Sequence, residues 1–163
     1  MLASDSIPNQ MVISLSGKNA LYKNDLMMLE IISRSNWTRP VYVALTVGAS
    51  SYMNLGDNFV QEGLANRITP FTTTNNGKNG SVKNFDTEKT YRNVMTRYKF
   101  GGLQKKGLYV DETVMRMCYT HRRLFAQLAQ ELIKEGKYEK AKKVLDKCLE
   151  VLPAVSYTHL TLP

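Results

Sequence analysis

Apolar residues along the chain change their spacing twice, and the changes divide it into three regions. From residue 10 to about 71, short apolar runs alternate with a helical pattern. Met11–Leu15 predicts a short strand that Gly17 ends. Asn24 or Asp25 then caps a helix in which Leu26, Leu29 and Ile32, with Met28 and Ile31, recur at helical spacing. The pattern fades over Ser33–Asn36. Pro40 opens Val41–Val47, a run rich in β-branched and aromatic residues, and proline is tolerated at the first residue of a strand. Strand, helix and strand in this order predict a βαβ unit with two parallel strands and a right-handed crossover. A short helix over Met53–Gln61 and an extended piece over Asn66–Phe71 complete a small sheet.

Residues 72–86 lose periodicity. Asn-Gly occurs twice there, which favours tight turns, yet the flanks do not alternate as hairpin strands do. The segment is expected to be a flexible Asn/Gly loop between residues 1–71 and a helical region over 87–153. That region starts with a short helix, Thr87–Tyr98, and is broken at Gly101-Gly102. Asp111 caps a long helix to about Glu135, Gly136 breaks it, and Tyr138–Leu152 forms another that Pro153 stops. Leu124, Phe125, Leu128, Ala129, Leu132 and Ile133 make one apolar stripe. Ala141, Val144, Leu145, Cys148, Leu149 and Leu152 make the matching one, so 121–153 reads as an αα-hairpin. The predicted class is α/β, a small βαβ-type N-terminal sheet region followed by an α-helical hairpin.

Composition narrows the function classes. The chain is 43% hydrophobic and 22% charged, which fits a globular protein, and its longest apolar run is strand-sized rather than the ~20 residues of a membrane helix. Met1–Gln10 has neither the basic nor the apolar part of a signal peptide, which taken alone points to the cytoplasm. The net charge of +8 gathers late in the chain, at Arg116, Arg122, Arg123, Lys137, Lys140, Lys142, Lys143 and Lys147. Such a cluster suits anionic lipid headgroups or a solvated helix face balanced by nearby acids. Nucleic acid is the less favoured partner, because no helix-turn-helix, zinc finger or RNP signature accompanies it. Cys118 and Cys148 fall on apolar helix faces and read as small buried hydrophobes. No cofactor, metal or catalytic set is expected. Asp57 and Glu62 read as a solvated acidic pair on a short helix. The last nine residues, Val155–Pro163, resemble a translated sequencing adapter and are set aside.

The hairpin resembles a single tetratricopeptide repeat. Phe125 stands at the motif's Trp place, Leu128 and Ala129 at Leu-Gly, and Leu132 at Tyr. Gly136, Tyr138, Ala141, Leu145 and Pro153 take the remaining places. Leu132 and Cys148 depart from the consensus but remain compatible with close packing. The resemblance implies a protein or peptide partner, and a lone repeat must lean on a neighbour to cover its outer face.

A second resemblance spans residues 5–153. Trp37-Thr38-Arg39-Pro40-Val41-Tyr42-Val43-Ala44 is similar to the Trp-x-Arg-Pro-Ile-Tyr-Phe-Ala signature of a bacterial family of large multi-pass membrane proteins, grouped with protein O-mannosyltransferase-like proteins. Glu62-Gly63-Leu64-Ala65-Asn66-Arg67-Ile68-Thr69-Pro70 resembles that family's Glu-Gly-Leu-Ala-Tyr-Arg-Leu-Val-Pro, with Asn66 in place of the aromatic. The resemblance implies the soluble part of a larger protein, at the extracytoplasmic (periplasmic) face of the inner membrane. Its missing N-terminal membrane domain would be a partner and would hold any glycosyl-transfer site. Trp37, Arg39, Glu62 and Arg67 are then candidates for an acceptor or partner surface, since an aromatic plane beside a guanidinium suits carbohydrate or peptide. The alternative is Trp37 packed on the sheet edge, with Arg39 paired to Glu62 or a carbonyl. A free-standing cytoplasmic tetratricopeptide-type scaffold is the competing function.

Overall fold

The computed structural model describes residues 10–74, 82–105 and 109–152. The adapter-like tail and Pro153 lie outside them, as do residues 75–81 of the Asn/Gly segment. The chain divides into two compact units, Met1–Asp86 and Thr87–Pro163. A small sheet in the first and helices in the second give the expected mixed class.

In the first unit the sheet is antiparallel. Helix α1 spans Lys23–Ser35, and strands β1 (Tyr42–Ala44), β2 (Phe59–Gln61) and β3 (Ala65–Ile68) pair in the order β1-β3-β2. The register sets Tyr42 opposite Arg67 on one side of β3 and Val60 opposite Arg67 on the other. The parallel βαβ unit is therefore corrected. Residues 11–15 belong to no strand, and α1 is not a crossover between paired strands. Instead, the Asn54 amide holds that segment by donating to the Ser14 and Ser16 carbonyls, each at 2.9 Å. The expected helix over Met53–Gln61 is replaced by a 3-10 turn, Leu55–Asn58, leading into β2. β4 (Thr73–Thr74) and β5 (Val82–Lys83) pair in parallel, which places the ends of the expected loop in a ladder.

Local chemistry explains two of the connections. Tyr22 rather than Asn24 or Asp25 is the N-cap of α1; Asp25 acts from inside the first turn, accepting from the Tyr22 N–H at 3.0 Å and from Lys18 Nζ at 2.7 Å. Lys18, followed by the Tyr22 amide, holds the buried Asp25 carboxyl below the usual carboxylate range. The helix ends where Asn36 and then Trp37 turn left-handed, at φ 42° and 56°. A bulky residue there is strained. Packing of the indole against the core of Ile32, Leu55, Phe59 and Ile68 offsets that strain. Burying each of those four side chains is worth roughly 1.5–3 kcal/mol. From β2 the chain reverses in two residues. Glu62 N–H donates to the Ala65 carbonyl at 2.9 Å around Gly63, at φ 92°, and Leu64, whose φ is not positive. This is the II′ pattern, whose twist suits a hairpin and favours glycine at its first central position.

The second unit follows its sequence closely. Helix α2 (Thr87–Arg92) runs on as a single π-type turn, Asn93–Arg97. Asp111 caps α3 (Glu112–Lys134), accepting from the Val114 N–H at 2.8 Å. At its other end Gly136 N–H bonds the Ile133 carbonyl and Lys137 N–H the Leu132 carbonyl, a Schellman stop that needs the positive φ of Gly136. Helix α4 (Tyr138–Val151) then packs back on α3. Phe125, Leu128, Ala129 and Leu132 meet Ala141 and Val144 in a fully buried seam. Ile133, Leu145 and Leu149 leave the predicted stripes and face water, Leu149 at 82% exposure.

Two substitutions test this account. Gly63→Ala should lower unfolding free energy by about 1–2 kcal/mol, because an L-residue is strained at that φ. Gly56→Ala, with open space at its Cβ and no positive φ, should be neutral within about 0.5 kcal/mol; urea denaturation of both variants checks the contrast. Asp25→Asn should be destabilising at neutral pH. A carboxylate with a depressed folded pKa contributes stability above its unfolded pKa and loses it as pH falls through the folded value. The gap to the parent should therefore close in acid below pH ~4, and equal gaps at pH 7 and in strong acid would contradict this.

Candidate functional site

The four surface candidates do not form one patch. Successive residues of a strand point to opposite faces of a sheet. Val43, Phe59 and Ile68 point to the face that packs on α1, and Trp37 is half-buried among them. Tyr42, Val60 and Arg67 point to the other face, where Glu62 joins them at the hairpin. Arg39 is exposed on the connector between α1 and β1, and the pairing of Arg39 with Glu62 is not what forms.

Arg67 takes that place. Its Nε lies 2.8 Å from Glu62 Oε1, and the Tyr42 hydroxyl donates to Glu62 Oε2 at 2.7 Å. The reading of Glu62 as half of a solvated acidic pair is overturned. Its side chain is 2% exposed, whereas Asp57 is at the surface in the 3-10 turn. Two-residue reversal at Gly63-Leu64 brings residues 62 and 67 onto one face, and the β1–β3 register delivers Tyr42 to the same place. Tyr42 is the member that sequence reasoning missed as a site residue. It sits inside the Trp-x-Arg-Pro stretch, but its relation to Glu62 exists only once the register is known.

This triad is neutral overall and asymmetric. The carboxylate is sunk, while the Arg67 side chain is 27% exposed and Tyr42 is 42% exposed. Nε is the guanidinium atom that lies against Glu62, as a contact of opposite charges without the alignment of a hydrogen bond. Among the described residues Glu62 is the ion-pair partner of Arg67.

In the helical unit the expected basic cluster is partly consumed within the fold. Lys137 Nζ reaches Glu88 at 2.6 Å and Glu135 at 2.8 Å, and Lys140 holds Glu88 at 3.0 Å. Lys147 Nζ donates to the Met95 carbonyl at 2.8 Å, and Arg116 pairs with Glu112. Glu135 and then Glu88 push the Lys137 ammonium up to about 12. Lys142, Lys143 and Arg123 stay exposed. Cys118 is buried and Cys148 half-buried, and desolvation raises both thiols. His121 lies edge-on to Tyr98 and Phe100, with its pKa lowered by burial. Among the described residues no three His, Cys, Asp or Glu side chains gather as a metal site, and no helix is long and apolar enough to cross a membrane.

Of the repeat residues, Phe125, Leu128, Ala129, Leu132 and Ala141 form the hairpin seam and Gly136 its turn, while Tyr138 and Leu145 are exposed.

A short antiparallel sheet with an ion-paired hairpin, preceded by a helix that stops just before Trp37, defines the first unit, and a family profile covers all of it. The chain belongs to the TMEM260-associated domain 2 family, which matches residues 1–89. This is a membrane-protein-associated domain. Both signatures, at Trp37–Ala44 and Glu62–Pro70, fall inside the matched span, and the α3–α4 hairpin falls outside it. No curated protein and no solved structure matches the chain.

Burial makes the triad's mutational costs unequal. Arg67→Met strands a desolvated carboxylate and should destabilise by about 3 kcal/mol, whereas Glu62→Gln leaves a cation that water can reach and should cost nearer ~1–2 kcal/mol. The double variant should be less destabilised than the sum of the two, and additive free energies in a double-mutant cycle would contradict direct coupling.

Proposed function

We propose that this chain is the soluble, extracytoplasmic portion of a polytopic glycosyltransferase-like membrane protein, akin to the protein O-mannosyltransferase-like proteins. In this reading it carries no glycosyl-transfer site of its own and positions an acceptor or partner protein beside the membrane domain. Membership of a membrane-protein-associated family is the observation that carries the reading. The chemistry of the buried acids supports it. Asp25 and Glu62 are the buried carboxylates among the described residues, and each is tied to a cation, an arrangement that holds structure rather than moves protons.

The α3–α4 hairpin supports the partner-binding part. Ala129 and Ala141 sit buried in its seam, as small residues do in a tetratricopeptide-like pair, and Leu145 and Leu149 stay uncovered on α4. Those exposed leucines also favour the second reading, a free-standing tetratricopeptide-type scaffold. Anionic headgroups retain Lys142, Lys143 and Arg123 as contacts, fewer than the sequence offers.

Topology separates the two. In membranes bearing the full-length gene product, a cysteine placed at exposed Arg39 should react with a membrane-impermeant maleimide from the extracytoplasmic side. Labelling only after the membrane is opened, or recovery of the product in the soluble fraction, would sink the proposal.

A further inference from the structure

We infer that the open side of the α3–α4 hairpin is the contact between two copies of this chain, laid antiparallel about a two-fold axis. The hairpin's other side is already covered. Lys140 reaches Glu88 of α2, Lys147 donates to the Met95 carbonyl of the π-type turn, and Phe100 lies against His121 and Phe125. About half a turn round α4 from those two lysines, past Ala141 and Val144 in the seam, stand Tyr138, Leu145 and Leu149. On α3, Tyr119, Ala126 and Ile133 make the neighbouring line, well round the helix from His121. All six are exposed, the five large ones by between 44% and 82%. An apolar face of this extent marks a contact surface.

Spacing says what fits it. The outward line of α4 is Tyr138, Lys142, Leu145 and Leu149, in steps of four, three and four, and the α3 line runs in steps of seven and seven. Both lines read the same in reverse. Their midpoints are also level to within one helical turn: Ala126 is ten residues before Gly136, and the middle of the α4 line is seven to eight after it. An antiparallel second copy therefore sets its Leu149 against Tyr138 and its Leu145 along the Lys142 stem, and the two Ala126 residues permit close approach on the axis. Charge agrees with this pairing. Lys142 stands inside the line and Asp146 beside it; both are exposed, and among the described residues neither is ion-paired, although they are four apart on one helix. An axis across the helices keeps Asp146 on the same flank and brings it within ~1.5 Å of the level of the other copy's Lys142, making two symmetric pairs. An ammonium covered by an apolar contact needs such an acid. Glu139, Lys143 and Glu150 lie a quarter turn or more round α4, at the rim, with Arg123 beyond the α3 line. Arg122, half-buried, is engaged within the fold. The inference rests on the partner-binding part of the proposed function, whose partner it names; oligomeric state tests it, whereas maleimide labelling tests the membrane topology.

Sedimentation velocity of the full chain is the experiment. We expect a monomer–dimer equilibrium in the micromolar range that stops at the dimer, because a two-fold contact closes on itself. Leu149→Glu, at a side chain 82% exposed and so outside the fold's own core, should weaken the dimer about tenfold or more while the circular dichroism spectrum stays unchanged. Tyr138→Glu is the second such variant. Lys142→Asp and Asp146→Lys should each weaken association several-fold, and the two combined should restore it, since each copy then offers the reversed pair. Lys143→Asp, off the face, should associate as the parent does. A chain still monomeric at about 100 μM, well above a micromolar dissociation constant, overturns the assignment and leaves the face to another segment. So do assemblies that grow past the dimer, a dimer indifferent to both glutamate variants, or a combined charge swap no tighter than either single change.

Discussion

Glu62 stands at the end of β2 with its carboxylate out of water, and an ionised group so placed is tolerated only with compensating partners. That requirement reaches through the whole sheet. Arg67 serves as partner only if the chain reverses in two residues, and Tyr42 only if β1 joins β3 in the observed register. A slip by one residue would turn Arg67 toward the core and Ile68 toward water. Strands of three or four residues have few ladder bonds with which to resist such a slip. The ion pair on one face and the apolar cluster on the other therefore specify the same pairing from opposite sides.

The two stretches Trp37–Ala44 and Glu62–Pro70 divide this work. Asn36 and Trp37 end α1 in left-handed conformations, the indole closes the apolar core, and Pro40 sends the chain out extended into β1. The second signature supplies the buried acid, the glycine that permits the reversal, and the arginine that returns to neutralise it. Neither stretch needs to touch a substrate to be understood. Each nevertheless leaves an arginine in reach of water, Arg39 fully exposed and Arg67 partly so, and Arg67 is the one paired with a buried acid.

Legibility followed element length. Over α3 and α4 the helical period repeats often enough to be unmistakable, and Asp111 and Gly136 mark their ends by specific chemistry. The sheet was harder. A run of three residues carries almost no period, and alternation says nothing of strand direction, so strand, helix and strand read naturally as βαβ. Met11–Leu15 has the composition of a strand but finds no ladder partner, and an asparagine amide holds its end instead. Glu62 reads as solvated for as long as the turn that follows it is not located. Glu62 and Arg67 become neighbours only when Gly63 is read as a reversal rather than as the close of a helix.

The helical unit shows how sequence charge overstates surface charge. Lys137 and Lys140 converge on Glu88, and Lys147 spends its ammonium on a carbonyl of the π-type turn. These contacts bind α2 and the turn after it to α4 and leave fewer free cations than the count suggests. Lys142 and Lys143 remain outward on α4, and so does an apolar line. Tyr138, Leu145 and Leu149 lie at intervals of seven and four residues, hence along one side of the helix, and all three are exposed. A positive count in the sequence would send the search for a partner toward anions. With Lys137, Lys140 and Lys147 held within the unit, the apolar line of Tyr138, Leu145 and Leu149 weighs as much on α4 as the exposed Lys142 and Lys143, so a partner has to suit both.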